Sequence, residues 1–304
     1  MCRFCIEMKF IFSSLLFLPV IFLGQTSNKG IILSKETKSP VPFATVKVLH
    51  QPRGVIASEK GDFMLEIDLF DSVMISSVGY ETKILIGKEI DSIIYLTPKI
   101  KSMAEVIVGK KHLLRTIVLG NGANYLNKTI RCRLDESGPK DDCWPWGPGF
   151  EKDEFAERID LPDSSLHYVI KKIIIPVTRK CKNPLLLHIY NADPNSEFPG
   201  EELLRKAVHF KFLAHNKALV DISNDNITLH ATKSFFIGFG WVWGEDGEDC
   251  DIHILLKKME KGNTYSRTLG SKDYYWFNFS KHRNFEKEEY TVASLYAVKL
   301  DEMK

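Results

Sequence analysis

The sequence predicts an all-β protein built from two β-sandwiches in series, and three observations support that prediction. Short apolar runs with strand character recur from residue 27 onward, and Gly, Pro, Asn and Asp separate them at regular spacing. Residues 27–98 show no helical period. The length of 304 residues leaves room for two domains of about 150 residues each. We divide the chain into a signal peptide at 1–24, a sandwich at 27–98, a linker and loop region at 99–149 and a second sandwich at 150–304.

The N-terminal segment predicts export. An apolar run covers residues 10–24, follows the basic Lys9 and ends at the small residue Gly24, as in a cleaved signal peptide. The run is shorter than the roughly 20 residues that span a membrane, and Pro19 interrupts it. We therefore expect no transmembrane span in the mature chain, and placement in the periplasm, in the outer membrane or at the cell surface. Translation from Met1 and from Met8 are both compatible with this pattern.

The charge balance argues against nucleic-acid binding. The chain has 41 Lys and Arg residues against 39 Asp and Glu residues, for a net charge of +2. Proteins that bind the phosphate backbone usually carry a clear basic excess or a basic stripe. We expect no nucleic-acid partner.

Residues 27–98 contain about seven short strand-like runs. Phe63, Leu65 and Ile67 occupy alternate positions, which places them on one inward face. Gly61 and Gly79 stand at turns, where a positive φ is easiest for glycine. This stretch therefore predicts a compact sandwich with short loops.

Three motifs in this sandwich carry a resemblance to a known family: 42-PFATV-46, 61-GDF-63 and 77-SVGY-80. In this order and spacing they resemble the carboxypeptidase-regulatory-like domain of Bacteroidota-type bacteria, over residues 29–98. The resemblance implies a seven-stranded sandwich of the immunoglobulin or transthyretin type with a carbohydrate-binding-like fold. Such domains commonly precede TonB-dependent outer-membrane receptors. The zinc pair of the peptidase domain after which the family is named is absent from the sequence, so peptidase activity is not implied.

The second half of the chain predicts another antiparallel β-sandwich. Residues 234–243 read as a central strand, since apolar side chains occupy both of its faces. Residues 201–207 predict one or two helical turns. The runs at 185–190, 199–204, 220–223 and 235–241 are similar to uncharacterised jelly-roll domains found behind the same N-terminal module, which implies a jelly-roll-like sandwich.

A long loop rich in Gly, Asn, Asp and Pro covers residues 121–149. Trp144 and Trp146 are its candidate ligand-binding residues. Pro145 and Pro148 follow closely, and two rings held by prolines could stack on a sugar or a peptide. The alternative is that both rings pack against the hydrophobic edge of the second sandwich.

An acidic loop is the candidate ion site. Asp246, Glu248, Asp249 and Asp251 surround Gly247, and hard oxygen ligands around a glycine turn suit Ca²⁺. The spacing is not that of an EF-hand, and the alternative is a solvated acidic loop. We predict no other cofactor.

Four cysteines remain after signal removal: Cys132, Cys143, Cys181 and Cys250. Four cysteines in an exported chain allow three pairings. Pairing the nearest two, Cys132 with Cys143, leaves Cys181 for Cys250. The alternative is four free buried thiols, since a chain of this length does not need disulfides to fold.

No catalytic constellation is visible in the sequence. It lacks a nucleophile elbow, a Walker loop and a dinucleotide fingerprint, and its histidines are dispersed. We therefore predict a non-enzymatic exported protein of the cell envelope. It would act in binding, adhesion or assembly, and its partner would be an envelope protein or a glycan. Two alternatives are an accessory component of a TonB-dependent receptor system and a carbohydrate-active enzyme with two facing carboxylates.

Overall fold

A computed structural model of the chain provides the structure. It describes residues 27–99, 112–120, 134–135, 138–139, 143–146, 153–176, 185–210, 217–241, 252–259, 263–269, 275–278, 291–294 and 297–304. The regular elements of these residues are strands and two short 3₁₀ turns, Gly87–Glu89 and Ser223–Asp225. The predicted all-β, sandwich-type fold is confirmed.

The first sandwich contains seven strands within residues 27–99. They are β1 (Ser27–Ser34), β2 (Thr45–Val48), β3 (Gly54–Ile56), β4 (Asp62–Glu66), β5 (Ser72–Ser76), β6 (Lys83–Ile86) and β7 (Ile93–Leu96). One sheet has the order β4-β1-β7, in which β1 and β7 are parallel, and the other has the order β3-β2-β5-β6. Between the sheets lies a core to which β2, β4, β5 and β7 contribute.

Local sequence explains the turns and faces of this sandwich. Phe63 and Ile67 are buried and Leu65 is partly buried, as the alternation predicts. Gly61 and Gly79 have φ values of +80° and +83°, which confirms their turn conformation.

Arg53 joins the turn after β2 to the loop after β4. Its guanidinium donates to Asp71 at 2.8 Å and to Asp68 at 3.1 Å, and also to the carbonyl of Glu66 at 3.0 Å. We expect Arg53→Met to lower the free energy of unfolding by about 1–3 kcal/mol, because the Asp71 carboxylate is buried and loses a charged donor. Urea denaturation measures the change. Lys88→Met, at an exposed site, is the control, and an equal effect of the two substitutions would contradict this role for Arg53.

The rest of the described chain supplies the second sandwich and two small sheets. The strands are β8 (Leu113–Leu119), β9 (Leu134–Asp135), β10 (Gly138–Pro139), β11 (Cys143–Trp146), β12 (Asp153–Asp160), β13 (His167–Pro176), β14 (Leu185–Ala192), β15 (Pro199–Glu202), β16 (Val208–Phe210), β17 (Lys217–Asp221), β18 (Thr228–His230), β19 (Ser234–Trp241), β20 (Ile252–Met259), β21 (Thr264–Thr268), β22 (Phe277–Asn278), β23 (Thr291–Ser294) and β24 (Ala297–Met303).

Two sheets face each other in this sandwich. The first has the order β15-β14-β19-β12-β21-β22, with β16 also paired to β14. The second has the order β17-β13-β24-β8, with β18 also paired to β13. Alternate residues of β14 and β19, among them Leu187, Ile189, Phe235 and Phe239, are buried in the core between these sheets. As predicted, β19 is a central strand with apolar groups on both faces, since Phe236 is buried in a separate cluster on the outer side.

Two segments differ from, or add to, the expectations. The predicted helical turns at 201–207 are wrong. Residues Pro199–Glu202 form a strand along β14 instead, and the Glu202 carboxylate accepts hydrogen bonds from the backbone of Ile189 and Leu204. These bonds fix an extended path that helical propensity alone does not reveal.

Residues Leu113–Leu119, within the predicted linker, pair with β24 as part of the second sandwich.

The two sandwiches are in direct contact. Phe43 of the first and Leu186 of the second are buried in one small cluster. At Gly79 the chain passes so close to Arg205 that an added Cβ would lie 1.9 Å from the Arg205 carbonyl oxygen. Lys99 and Glu201 form an ion pair across the same boundary. In the described residues, no helix is long and apolar enough to cross a membrane.

Candidate functional site

A cleft of about 480 Å³ lies between the two sandwiches. This volume is within the range of small-molecule sites, about 300–1,000 Å³. The outer face of the β3-β2-β5-β6 sheet forms one wall, with Thr45, Met74 and Ser76. The outer face of the sheet around β19 forms the other wall, and its charged and aromatic side chains make up the candidate site. They are Glu154, His188, Tyr190, Glu202 and Arg267.

Two glycines of β19 make room for these side chains. Gly238 lies opposite His188 of β14, and Gly240 lies opposite Glu154 of β12. An added Cβ would lie 3.4 Å from the Cβ of His188 at Gly238, and 3.8 Å from the Cγ of Glu154 at Gly240. Because β19 has no side chain at these two positions, groups from β14 and β12 approach each other across its backbone.

Glu154 is the centre of the network and is only 6% exposed. Its Oε1 accepts a hydrogen bond from the Tyr190 hydroxyl at 2.5 Å. Its Oε2 accepts from Arg267, at 2.8 Å from Nε and 2.6 Å from the terminal nitrogen. The Arg267 guanidinium also lies 4.4 Å from the ring centre of Trp276, a cation–π arrangement that holds it in place.

His188 stands between two carboxylates. Its Nδ1 donates to Glu202 at 2.8 Å, and its Nε2 lies 4.0 Å from Oε1 of Glu154. Its ring stacks on Tyr190, with a centroid distance of 5.6 Å and an interplanar angle of 10°. Because His188 and Tyr190 are two residues apart on one strand, both face the cleft while Ile189 faces the core.

Opposing influences set the charge of Glu154 and Tyr190. Burial, the largest influence, raises the pKa of Glu154, but Arg267, His188 and the Tyr190 hydrogen bond together outweigh it and leave the pKa below its ordinary value. Burial raises the pKa of the Tyr190 hydroxyl well above its usual range, so the hydroxyl remains a donor. The carboxylate of Glu154 is therefore ionised and held by two fixed donors.

The same balance acts on His188. Burial, again the largest influence, lowers its pKa, while Glu154 and Glu202 raise it, and the net result is a pKa above the ordinary value. The imidazole therefore keeps its second proton to a higher pH than a free histidine does.

This raised pKa predicts that stability depends on pH. The contribution of His188 is fully present below its unfolded pKa of about 6.5 and is lost as pH rises through the higher folded pKa. We expect the free energy of unfolding to fall across this range, and His188→Gln to flatten the decline. His112→Gln, at an exposed histidine, is the matched control. Urea denaturation at a series of pH values measures both, and equal slopes in the two variants would refute the assignment.

Most of the residues singled out from the sequence lie outside the described part. Residues 1–24 do, as do Cys132, Cys181 and Cys250 and the acidic residues Asp246, Glu248, Asp249 and Asp251. Trp144 and Trp146 belong to β11, whose backbone pairs with β20, and their side chains are outside the described part, as is that of Cys143. Within the described residues, no group of three or more His, Cys, Asp or Glu side chains is placed to hold a metal ion.

The cleft residues were not identified from the sequence. His188 is one of several histidines dispersed along the sequence, and Arg267 lies 113 positions from Glu154. One signal was available, because Gly238 and Gly240 alternate within an otherwise apolar strand. Such a pattern indicates a close approach over the strand, although it does not name the side chains that approach.

No protein-family model matches the chain, and no curated protein matches it. The likeness of residues 29–98 to the carboxypeptidase-regulatory-like domain therefore remains a resemblance based on the sequence motifs.

Proposed function

We propose that the protein is an exported, non-enzymatic binding module of the cell envelope, and that its cleft holds a terminal unit of an envelope glycan. The observation that supports this proposal is the cleft itself: about 480 Å³ in volume, with an ordered charged network on one wall. Export and placement in the envelope rest on the signal-like segment at 10–24 and on the family resemblance.

The two walls suit the chemistry of a sugar. A sugar ring has hydroxyl groups at its edge and C–H groups on its faces. The wall from the first sandwich offers the hydroxyls of Thr45 and Ser76 beside the apolar side chains of Ile56 and Met74. The opposite wall offers charged groups that form strong hydrogen bonds to a polar ligand.

The state of the carboxylates favours binding over hydrolysis. Glycosidases with two carboxyl groups need one that stays protonated, which requires a raised pKa. The pKa of Glu154 is lowered, and both of its oxygens already accept hydrogen bonds. The Glu202 oxygens are occupied by His188 and by the backbone of Ile189 and Leu204. These groups therefore serve as fixed structure more readily than as a general acid.

A glycan array with a blocked cleft tests this proposal. Ser76→Trp places a large ring on the wall opposite the charged network and leaves that network intact. Ser72→Trp makes the same change on the same face of β5, at an exposed position. We expect the unmodified protein and Ser72→Trp to bind the same glycans, and Ser76→Trp to lose them. Equal binding by the two variants would refute the cleft as the site, and hydrolysis of a bound glycan would refute a non-enzymatic role.

A further inference from the structure

In the cleft, the carboxylate acceptors already have hydrogen-bond partners within the described part of the chain, whereas some of the donors do not. Each carboxylate oxygen of Glu154 and Glu202 already accepts at least one hydrogen bond from the protein. The carboxylate oxygens on this wall are therefore already engaged by the protein before a ligand arrives. The donors that have no partner among the described residues therefore determine which ligand groups the cleft can bind.

His188 supplies the first of these donors. Its Nδ1 is bound to Glu202, whereas Nε2 has no hydrogen-bond partner among the described residues, since Glu154 lies 4.0 Å away. The imidazole side chain lines the cleft and is 12% exposed. When the ring carries both protons, Nε2 presents an N–H group to a ligand, and when it carries one, Nε2 is an acceptor.

Arg205 supplies the second. It lines the cleft, is exposed at its rim and has no ion-pair partner within the described part of the chain. The other cations of the cleft are engaged: Lys99 pairs with Glu201, and Arg267 pairs with Glu154. A guanidinium presents a fork of N–H groups whose geometry matches a carboxylate.

We propose that the cleft recognises an acidic sugar, and that the sugar carboxylate accepts hydrogen bonds from Nε2 of His188 and from the guanidinium of Arg205. This inference rests on the proposed glycan-binding function and specifies its ligand. An ionised acceptor forms a hydrogen bond about twice as strong as a neutral hydroxyl does, so the charge distinguishes acidic sugars from neutral ones. The negative charge of Glu154 does not oppose the ligand strongly, because Arg267 neutralises it at 2.6 Å.

Recognition by His188 makes binding sensitive to pH. The groups that face the imidazole are Glu154 from β12, Glu202 from β15, Arg267 from β21 and Tyr190 from its own strand. Lys99, Glu201 and Arg205 complete the charged lining of the cleft. A sugar carboxylate stays ionised throughout neutral and alkaline pH, so the change in affinity follows the loss of the imidazole proton. Above the pKa of His188, affinity for the acid should fall by up to about tenfold per pH unit.

Titration calorimetry with glucuronate and galacturonate, against glucose and galactose as matched neutral sugars, tests the inference. We expect the acids to bind and the neutral sugars to bind at least about tenfold more weakly. We expect the affinity for the acids to fall as pH rises. Equal binding of neutral and acidic sugars, or acid binding that strengthens with pH, would overturn this inference while leaving the glycan-binding proposal in place. If none of the four sugars binds, this inference is overturned, while the array decides the glycan-binding proposal separately.

Two variants connect this result to the named groups. Arg205→Gln should weaken binding of the acids by about tenfold without affecting the fold, because Arg205 is exposed. Lys206→Gln is the matched control, since it removes a neighbouring cation that pairs with Asp225 at 3.2 Å. In the unmodified protein, the ring-nitrogen NMR signals of His188, assigned by comparison with His188→Gln, should shift on adding glucuronate and not on adding glucose. Equal losses in Arg205→Gln and Lys206→Gln would contradict the assignment of Arg205.

Discussion

Replacement of Glu154 by alanine is expected to lower the free energy of unfolding by about 3–5 kcal/mol, because it removes a buried carboxylate and leaves the partly buried Arg267 and His188 without their counter-ion. Glu154 accepts from Tyr190 and Arg267 and lies 4.0 Å from His188, so a single truncation removes three interactions. The Tyr190 hydroxyl, which is buried, would also lose its acceptor. Urea denaturation at neutral pH measures the loss.

Glu201→Ala is the control for this prediction. Glu201 also forms an ion pair, with Lys99, but both side chains are about half exposed, at 52% and 45%. Exposed pairs contribute about 0–1 kcal/mol, so this variant should be nearly as stable as the unmodified protein. The double variant Glu154→Ala/Arg267→Met should be less destabilised than the sum of its two single variants, since the second change removes the charge that the first left unpaired. A cost below about 1 kcal/mol for Glu154→Ala would contradict the network.

Gly79→Ala is expected to separate the two sandwiches. The residue has φ of +83°, which costs an L-residue about 1–2 kcal/mol, and its added Cβ would lie 1.9 Å from the carbonyl oxygen of Arg205. One of the two backbones must shift to relieve this overlap, and we expect the shift to move one sandwich away from the other. The contact of Phe43 with Leu186 would then loosen, and the cleft would lose its shape. Small-angle scattering should report a larger radius of gyration, and unfolding should divide into two transitions.

Gly61→Ala separates backbone strain from loss of the domain contact. Gly61 has a similar φ of +80°, and its added Cβ would lie 2.6 Å from the carbonyl oxygen of Ile32, within the first sandwich. This variant should destabilise the first sandwich and leave the arrangement of the two sandwiches unchanged. An unaltered scattering curve for Gly79→Ala would show that the close contact at Arg205 does not hold the sandwiches together.

The first sandwich could be predicted because its information is local. Turn residues such as Gly61 and the alternation of Phe63, Leu65 and Ile67 lie within a few positions of the structure they determine. The central position of β19 was also predictable, because apolar residues on both faces indicate cover on both sides. The helical turns expected at 201–207 failed because Glu202 bonds to Ile189, a partner 13 positions away.

The site could not be predicted, because it depends on strand order. Glu154, His188 and Arg267 come from β12, β14 and β21, and the order β14-β19-β12-β21 brings them together. Periodicity shows which face of a strand a residue occupies but not which strand lies beside it. Trp144 and Trp146, the candidate ligand-binding pair of the sequence, lie in another segment and are not among the described residues that line the cleft.

The most direct measurement is a crystal structure of the protein with the tightest-binding glycan from the array. We expect the sugar between Ser76 and His188, with its carboxylate beside Nε2 of His188 and the guanidinium of Arg205. A sugar bound away from the cleft, for example on the outer face of the first sandwich where Met64 and Tyr95 are exposed, would contradict the account.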